Sequence, residues 1–188
     1  IQIKEKNFDS KNFPKYNFSL SNTDAYYENS TLEGTTDANG NGTKSEFIPT
    51  HFSDRGILQA SFYTTVFDET GRPVSRVTNT DIITQDVFYG IQNSGYGYYQ
   101  LNQPISFNLV AVNKDDKPYA NAKAKILIIK NEYKTVLSRS GDYFRYESQL
   151  QKKTIEDREV NLSGANTVYR FVPRSPGDYE IRIARPGS

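Results

Sequence analysis

The sequence of 188 residues contains no cysteine, no methionine and no tryptophan, and its single histidine is His51. Without cysteine, the chain can form neither a disulfide nor a thiolate metal site, and it has no cysteine nucleophile. A single histidine excludes metal sites that need several imidazoles. The absence of methionine indicates that the start residue has been removed, either by processing or because the sequence is a piece of a longer chain.

An excess of charge of one sign is also lacking. The 23 Lys and Arg residues nearly balance the 22 Asp and Glu residues, which leaves a formal net charge of +1. Such a balance gives no general attraction to nucleic acid or to anionic membranes. No apolar run approaches the ~20 residues of a membrane span, and residues 1–6 lack the apolar centre of a signal peptide. Any export signal is therefore expected upstream or already removed.

Aromatic side chains supply much of the apolar surface that the chain does have. Hydrophobic residues make up 36% of the sequence and the mean hydropathy is −0.71, which is polar for a globular protein. The 14 Tyr and 11 Phe residues offset this, because each buries a large area. With frequent Thr, Val and Ile, this composition favours strands over helices.

Alternating apolar and polar residues predict strands along the whole chain. In residues 56–67 one face carries Leu58, Ala60, Phe62, Thr64 and Val66, and this face is expected to point into the core. Residues 148–160 lack the spacing of a helix and are predicted to form a pair of strands. The other predicted strands are 16–20, 26–36, 43–48, 74–83, 87–91, 104–112, 122–130, 133–137, 142–150, 153–162, 167–172 and 177–184.

Short strands with turn signals every ~8–12 residues are typical of antiparallel β-sandwiches. The number of strands predicts an all-β chain of two tandem β-sandwich domains, over residues 1–84 and 85–188. Residues 1–12 are polar and unpatterned, and they are expected to be a linker or an edge strand.

One turn resembles the opening of a calcium loop. Asp37, Asn39, Asn41 and Gly42 follow the pattern Asp-x-Asn-x-Asn-Gly, which supplies oxygen ligands at alternate positions. The twelfth position of such a loop needs a bidentate glutamate, but Ile48 stands there. Because Asn, Asp and Gly also favour tight turns, the sequence favours a plain hairpin turn here.

Other residues are candidates for catalysis. His51 would need a partner carboxylate and an activated serine, and no Gly-x-Ser-x-Gly motif is present, so a solvated loop histidine is expected. The adjacent carboxylates 68–69 and 115–116 could serve glycoside hydrolysis. Turn formation already explains both pairs, so no catalytic residue, cofactor site or metal site is predicted.

Two further groups suggest binding. Tyr96, Tyr98 and Tyr99 could stack on a sugar or a peptide, although packing within the protein is the favoured interpretation. The last two predicted strands are rich in arginine, which could form a basic stripe, but Asp178 and Glu180 interrupt it and a solvated face is expected. The arginines are Arg170, Arg174, Arg182 and Arg185.

The order of the turns resembles that of bacterial α2-macroglobulins. Residues 110–122 read Val-Ala-Val-Asn-Lys-Asp-Asp-Lys-Pro-Tyr-Ala-Asn-Ala, which is similar to a segment of one macroglobulin-type domain of that family. Asp116 and Asn121 stand where glycine is usual in this segment, which bears on local turn geometry. The resemblance also covers the hairpin turns at 36–42 and 58–76, the domain start at 88–91 and the closing hairpin at 171–181.

The resemblance implies two macroglobulin-type domains from a large, exported and often lipid-anchored protein of the bacterial envelope or periplasm. Such proteins trap proteases after cleavage of a bait segment, and some form a covalent bond through a Cys–Gln thioester. Because that chemistry needs a Cys-x-Glu-Gln motif, the reactive centre lies outside this chain.

The leading hypothesis is therefore a non-enzymatic scaffold segment whose partners are neighbouring domains of the same long chain and the trapped proteases. The alternative is an adhesion or carbohydrate-binding β-sandwich module of a surface protein, and a β-sandwich enzyme is the third possibility.

Overall fold

The computed structural model describes residues 1–20, 27–53, 55–93, 98–141, 143–164 and 166–187. Within them the fold is all-β, with one 3-10 helix, Thr50–Phe52, and with antiparallel strand pairs. The predicted all-β antiparallel class is confirmed. The chain divides into unit 1, Ile1–Asp9 with Phe18–Phe88, and unit 2, Ser10–Asn17 with Tyr89–Ser188.

The described residues form ten strands. They are β1 Gln2–Lys6, β2 Tyr27–Asn29, β3 Ile57–Phe67, β4 Pro73–Ile83, β5 Val87–Asn93, β6 Ile105–Asn113, β7 Ala122–Ser140, β8 Tyr143–Leu162, β9 Thr167–Phe171 and β10 Asp178–Ala184.

Unit 1 contains a sheet in the order β2-β1-β3-β4. Its core consists of Ile3, Phe52, Leu58 and Ala60, so the 3-10 helix contributes Phe52 to the same core as β1 and β3. The segment expected to be a linker or an edge strand contains β1, which pairs with β2 on one side and with β3 on the other. It becomes an inner strand because Ile3 is buried.

Three predicted strands of the N-terminal half differ from the structure. Residues 16–20 form no strand: Asn17 makes one bridge, to Ile91, and the apolar residue Phe18 is buried without a ladder. Residues 43–48 form no strand, and the segment 26–36 contributes only β2 within its described part. The described residues of unit 1 therefore form one sheet.

Unit 2 contains two sheets, in the orders β10-β7-β8 and β5-β6-β9. Alternate residues of β7 point into the core, where Ala124, Ile126 and Ile128 are buried. Leu109 and Phe171 contribute from the other sheet. The two inner faces therefore carry the apolar residues, as a sandwich requires.

The β7–β8 hairpin is longer than predicted. Four predicted strands merge into two, because residues 131–132 and 151–152 continue the ladder that was expected to break there. Residues 148–160 are extended, as predicted, but they lie in one continuous strand. The register shifts by one residue at Ile155, which forms a β-bulge opposite Ile128 and Ile129.

Candidate functional site

The aspartates of two turns are used by the turns themselves. Asp37 Oδ1 accepts hydrogen bonds from the backbone amides of Asn39 and Asn41, at 2.9 and 2.8 Å. The bond from Asn41 is the main reason why the pKa of Asp37 is lowered. Since these bonds are those of a tight turn, they support the plain turn over the calcium loop. In the described residues no group of three or more His, Asp or Glu side chains converges as metal ligands.

The carboxylate pair at 68–69 has the same structural explanation. Asp68 Oδ1 accepts from the hydroxyl and the amide of Thr70 and from the amide of Arg72. The Thr70 hydroxyl and then the Arg72 amide lower the pKa of Asp68. A carboxylate held ionised by its own turn is poorly suited to donate a proton in glycoside hydrolysis.

Asp116 has a structural role that the sequence did not reveal. Its carboxylate accepts hydrogen bonds from the Ser10 hydroxyl and from the Asn12 amide, the latter at 2.7 Å. This fastens the segment 10–17 of unit 2 to the β6–β7 turn. Asp116 and Asn121 both have φ near +60°. Glycine adopts this conformation freely, and aspartate and asparagine tolerate it better than most other residues.

His51 lies in the 3-10 helix and not in a loose loop. Its Nε2 is 3.2 Å from the Glu28 carboxylate, and its ring packs against Phe52 with a centroid separation of 4.5 Å. Both side chains are partly exposed. The pair thus links β2 to the helix that carries Phe52 into the core, which is a structural contact.

The tyrosine group is described only at Tyr98 and Tyr99, which line one groove of unit 2, and two of the arginines lie on different sheets. Tyr98 is fully exposed and the Tyr99 hydroxyl donates to Asn93 Oδ1 at 2.8 Å, whereas Tyr96 lies outside the described residues. Arg170 is on β9 and Arg182 is on β10, which belong to different sheets. Arg182 donates to Glu180 at 2.6 Å. These positions do not form a single basic stripe, which was the disfavoured alternative to a solvated face.

A groove of about 600 Å³ lies in unit 2 between the two sheets. Its walls are mainly apolar, and the hydroxyl of Tyr179 in the wall is bonded to the Ser175 carbonyl at 2.8 Å. Such walls suit an apolar side chain, and the acidic residues Asp178 and Glu180 also line the groove. The apolar lining includes Ile105, Phe107, Ile128, Phe171 and Ile181.

Side-chain hydrogen bonds join the two sheets of unit 2. The Tyr89 hydroxyl on β5 donates to the Lys123 carbonyl on β7 at 2.7 Å. The Tyr169 hydroxyl on β9 donates to Glu156 on β8 at 2.6 Å. Burial, and next this bond to a carboxylate, raise the pKa of Tyr169 well above the usual range. The phenol therefore stays protonated, as a structural donor does.

The most unusual surface of the molecule is an exposed apolar face on the β7–β8 hairpin. Beyond Asn131, where the pairing with β10 ends, β7 and β8 continue as a two-stranded ribbon. We call residues 132–140 and 143–151 the arm. One face of the arm carries large exposed apolar residues, Tyr133, Leu137, Phe144, Tyr146 and Leu150. Sequence analysis missed this face because alternation alone does not tell a buried face from an exposed one.

Comparison with known proteins gives a consistent picture. Residues 90–188 match the family model described as bacterial macroglobulin domain 6. No curated protein sequence matches the chain. No helix of the described residues is long and apolar enough to cross a membrane.

Solved structures resemble the whole chain in fold. Native Escherichia coli α2-macroglobulin matches with a TM-score of 0.63 and 17% identity, over 98% of this chain and 13% of that one. Salmonella α2-macroglobulin reacted with methylamine gives 0.61 and 15%, over 98% and 13%. Escherichia coli α2-macroglobulin activated by porcine elastase gives 0.64 and 17%, over 98% and 17%. This chain thus spans a small part of each.

Proposed function

Since the chain belongs to the bacterial macroglobulin domain 6 family through residues 90–188, we propose that it is a scaffold segment of a bacterial protease-trapping protein. In this proposal two successive macroglobulin-type domains, divided near residue 84, form part of the frame around a captured protease. Bait and thioester chemistry belong to other parts of the full-length protein. The role of these residues is not enzymatic.

The observation that carries the proposal is the match of the family model together with a fold shared over 98% of the chain with α2-macroglobulins. The candidate site carboxylates add support, since Asp37 and Asp68 accept hydrogen bonds within their own turns and Asp116 accepts one from the distant Asn12 amide. One of the similar proteins is described as activated by porcine elastase, which suggests elastase as the first protease to try. The proposal also places the protein outside the cytoplasm, where such proteases are met.

The experiment uses the full-length protein from the same gene. After incubation with elastase, a trapped protease should keep its activity on a small peptide substrate and lose activity on a large protein substrate. Equal loss on both substrates would indicate ordinary active-site inhibition. Full activity on both would overturn the proposal.

A matched pair of variants tests whether these domains form the frame. Ile126→Asp places a charge in the core of unit 2, whereas Lys134→Asp changes an exposed charged residue on the arm, on the face opposite the apolar one. The first change should abolish trapping by the full-length protein, and the second should leave it unchanged.

A second candidate is glycan binding by a surface module, and the full exposure of Tyr98 beside the groove is the observation that favours it. A glycan array probed with the 188-residue chain tests this function. Binding that disappears in Tyr98→Ser would support it, with Tyr63→Ser as the control, because Tyr63 is also exposed but lies in unit 1.

A further inference from the structure

The two faces of the arm differ sharply in chemistry. In an antiparallel ladder, directly paired residues share a face and successive pairs alternate between faces. The pairs Tyr133–Leu150 and Leu137–Tyr146 therefore lie on one side, with Thr135–Ser148 between them. The pair Arg139–Phe144 lies on the same side nearer the tip, where the Arg139 guanidinium is over the Phe144 ring. The opposite side carries Tyr143 and the pairs Lys134–Gln149, Val136–Glu147 and Ser138–Arg145.

The apolar face is open to solvent along its length. Its five large side chains are between 46% and 77% exposed, although the arm's other face is already polar enough to meet water. Isolated two-stranded ribbons are marginally stable, and a contiguous apolar patch of this kind marks an interaction surface. The face is therefore suited to contact a partner that has an apolar surface of its own.

The size of the face distinguishes between possible partners. Five large side chains at this exposure present roughly 500–600 Å². A free protein complex of standard size buries about 800 Å² on each partner. Contacts between domains of one chain bury about 600–1,500 Å² in total, which this face supplies when both sides are counted. A second, free copy of the chain is thus the poorer match.

The similar proteins are long enough to contain a partner domain on the same polypeptide. This chain corresponds to 13% of native Escherichia coli α2-macroglobulin, so a full-length protein of that size holds many further domains on the same polypeptide. Tethering raises the effective concentration to about the millimolar range, which makes a small contact sufficient.

We propose that the apolar face of the arm docks onto the apolar sheet face of another β-domain, outside these 188 residues, in the same long polypeptide. This inference rests on the proposed function, because it requires a full-length macroglobulin-type chain. The arm would then hold two parts of the frame together and would be ordered by that contact.

The chain has no cysteine, so single introduced thiols can report on each face. Ser148→Cys places a thiol at the centre of the apolar face with little change in volume. Gln149→Cys, the next residue, places one on the opposite face of the same strand, and both positions are exposed. Labelling with a maleimide is followed by mass spectrometry of the peptide that carries the thiol, so other cysteines of the full-length protein do not interfere.

In the 188-residue chain the two thiols should react at similar rates. In the full-length protein the thiol at 148 should react at least about tenfold more slowly than the thiol at 149, because the docked face opens rarely. Thr135→Cys with Lys134→Cys repeats the comparison on β7, should either β8 variant fold poorly.

Equal reactivity at 148 and 149 in the full-length protein would overturn the inference. So would slow labelling at 148 in the 188-residue chain together with dimers in sedimentation, because the occupant would then be a second copy. Elastase sheltering is measured on the same samples. Sheltering with equal labelling contradicts this inference alone, whereas protection at 148 without sheltering contradicts the proposed function alone.

Discussion

The β7–β8 hairpin has two parts that belong to the same continuous pair of strands and differ in how deeply their side chains are buried. At its base, Ile126 and Ile128 are almost completely buried against the second sheet, and β10 extends the sheet on one side. In the arm, Tyr133 and Tyr146 face solvent, and β7 and β8 pair only with each other in the described residues. Strand pairing is thus continuous while burial is not.

Unit 1 repeats the pattern in its β3–β4 hairpin. Leu58 and Ala60 of β3 are buried as predicted, but Thr64 and Val66, on the same face, are exposed. Both hairpins therefore extend past the edge of their own core. The base of each hairpin stabilises its unit, and the part beyond the core is available for contacts.

Truncation of the base should have the largest effect. Ile126→Ala removes a fully buried side chain and should lower the free energy of unfolding by about 3–4 kcal/mol, the usual cost of such a cavity. Leu137→Ala in the arm should change it by less than about 0.5 kcal/mol. Urea denaturation of both variants measures the difference, and similar losses would break the distinction between base and arm.

Loss of the hydrogen bond between Tyr169 and Glu156, which joins the two sheets of unit 2, should have an intermediate effect. Tyr169→Phe leaves Glu156 without its phenol donor and should cost about 1–2 kcal/mol, because the bond is partly buried and its acceptor is charged. Tyr146→Phe is the matched control in the arm, and it should be neutral. Thermal unfolding followed by circular dichroism compares the two, and an unchanged midpoint for Tyr169→Phe would show that the bond adds nothing.

Removal of the arm should have a small effect on the isolated chain. Glu132 and Gln151 face each other in the ladder, so an Asn-Gly turn can join them in place of residues 133–150. The free energy of unfolding should change by less than about 1 kcal/mol, because little buried surface is lost. Loss of cooperative unfolding in urea would instead mean that the base depends on the arm.

The smallest effect is expected at the tip of the β3–β4 hairpin. The pKa of Asp68 is lower in the folded state than in the unfolded chain. Its contribution to folding stability is therefore complete above the ordinary carboxyl pKa of about 3.9, and it is lost as the pH falls through the lowered value. A pH titration by NMR should place the Asp68 pKa below the ordinary carboxyl value, and the Thr70 and Arg72 amides should shift with it. An Asp68 pKa at or above the ordinary value would contradict the turn geometry.

Much of the fold could be predicted from local patterns. Turn chemistry located the hairpins at 68–73 and 113–118, and alternation located β3, β4, β6 and β10 to within a few residues. It failed at 16–20, where Phe18 is buried without a partner strand, and at 43–48, where Phe47 and Ile48 are exposed and no strand forms. It also broke β7 and β8 at polar residues, since a ribbon outside the core needs no apolar residue to continue.

The candidate sites were less accessible to sequence reasoning. The engagement of Asp37 and Asp68 in their own turns followed from the turn composition. The bonds from Asp116 to Ser10 and Asn12 join residues more than a hundred positions apart, and no local signal announces such a contact. The nearest indication in the sequence was Asp116 itself, at a position where glycine is usual in the family that the chain resembles.

The most direct test of the scaffold assignment is the elastase assay carried out with the 188-residue chain alone, at a large molar excess over the protease. The account predicts that hydrolysis of both the small peptide and the large protein substrate is unchanged, because these residues supply the frame and not the bait. Selective loss of activity on the large substrate would contradict it, since the chain would then shelter a protease by itself.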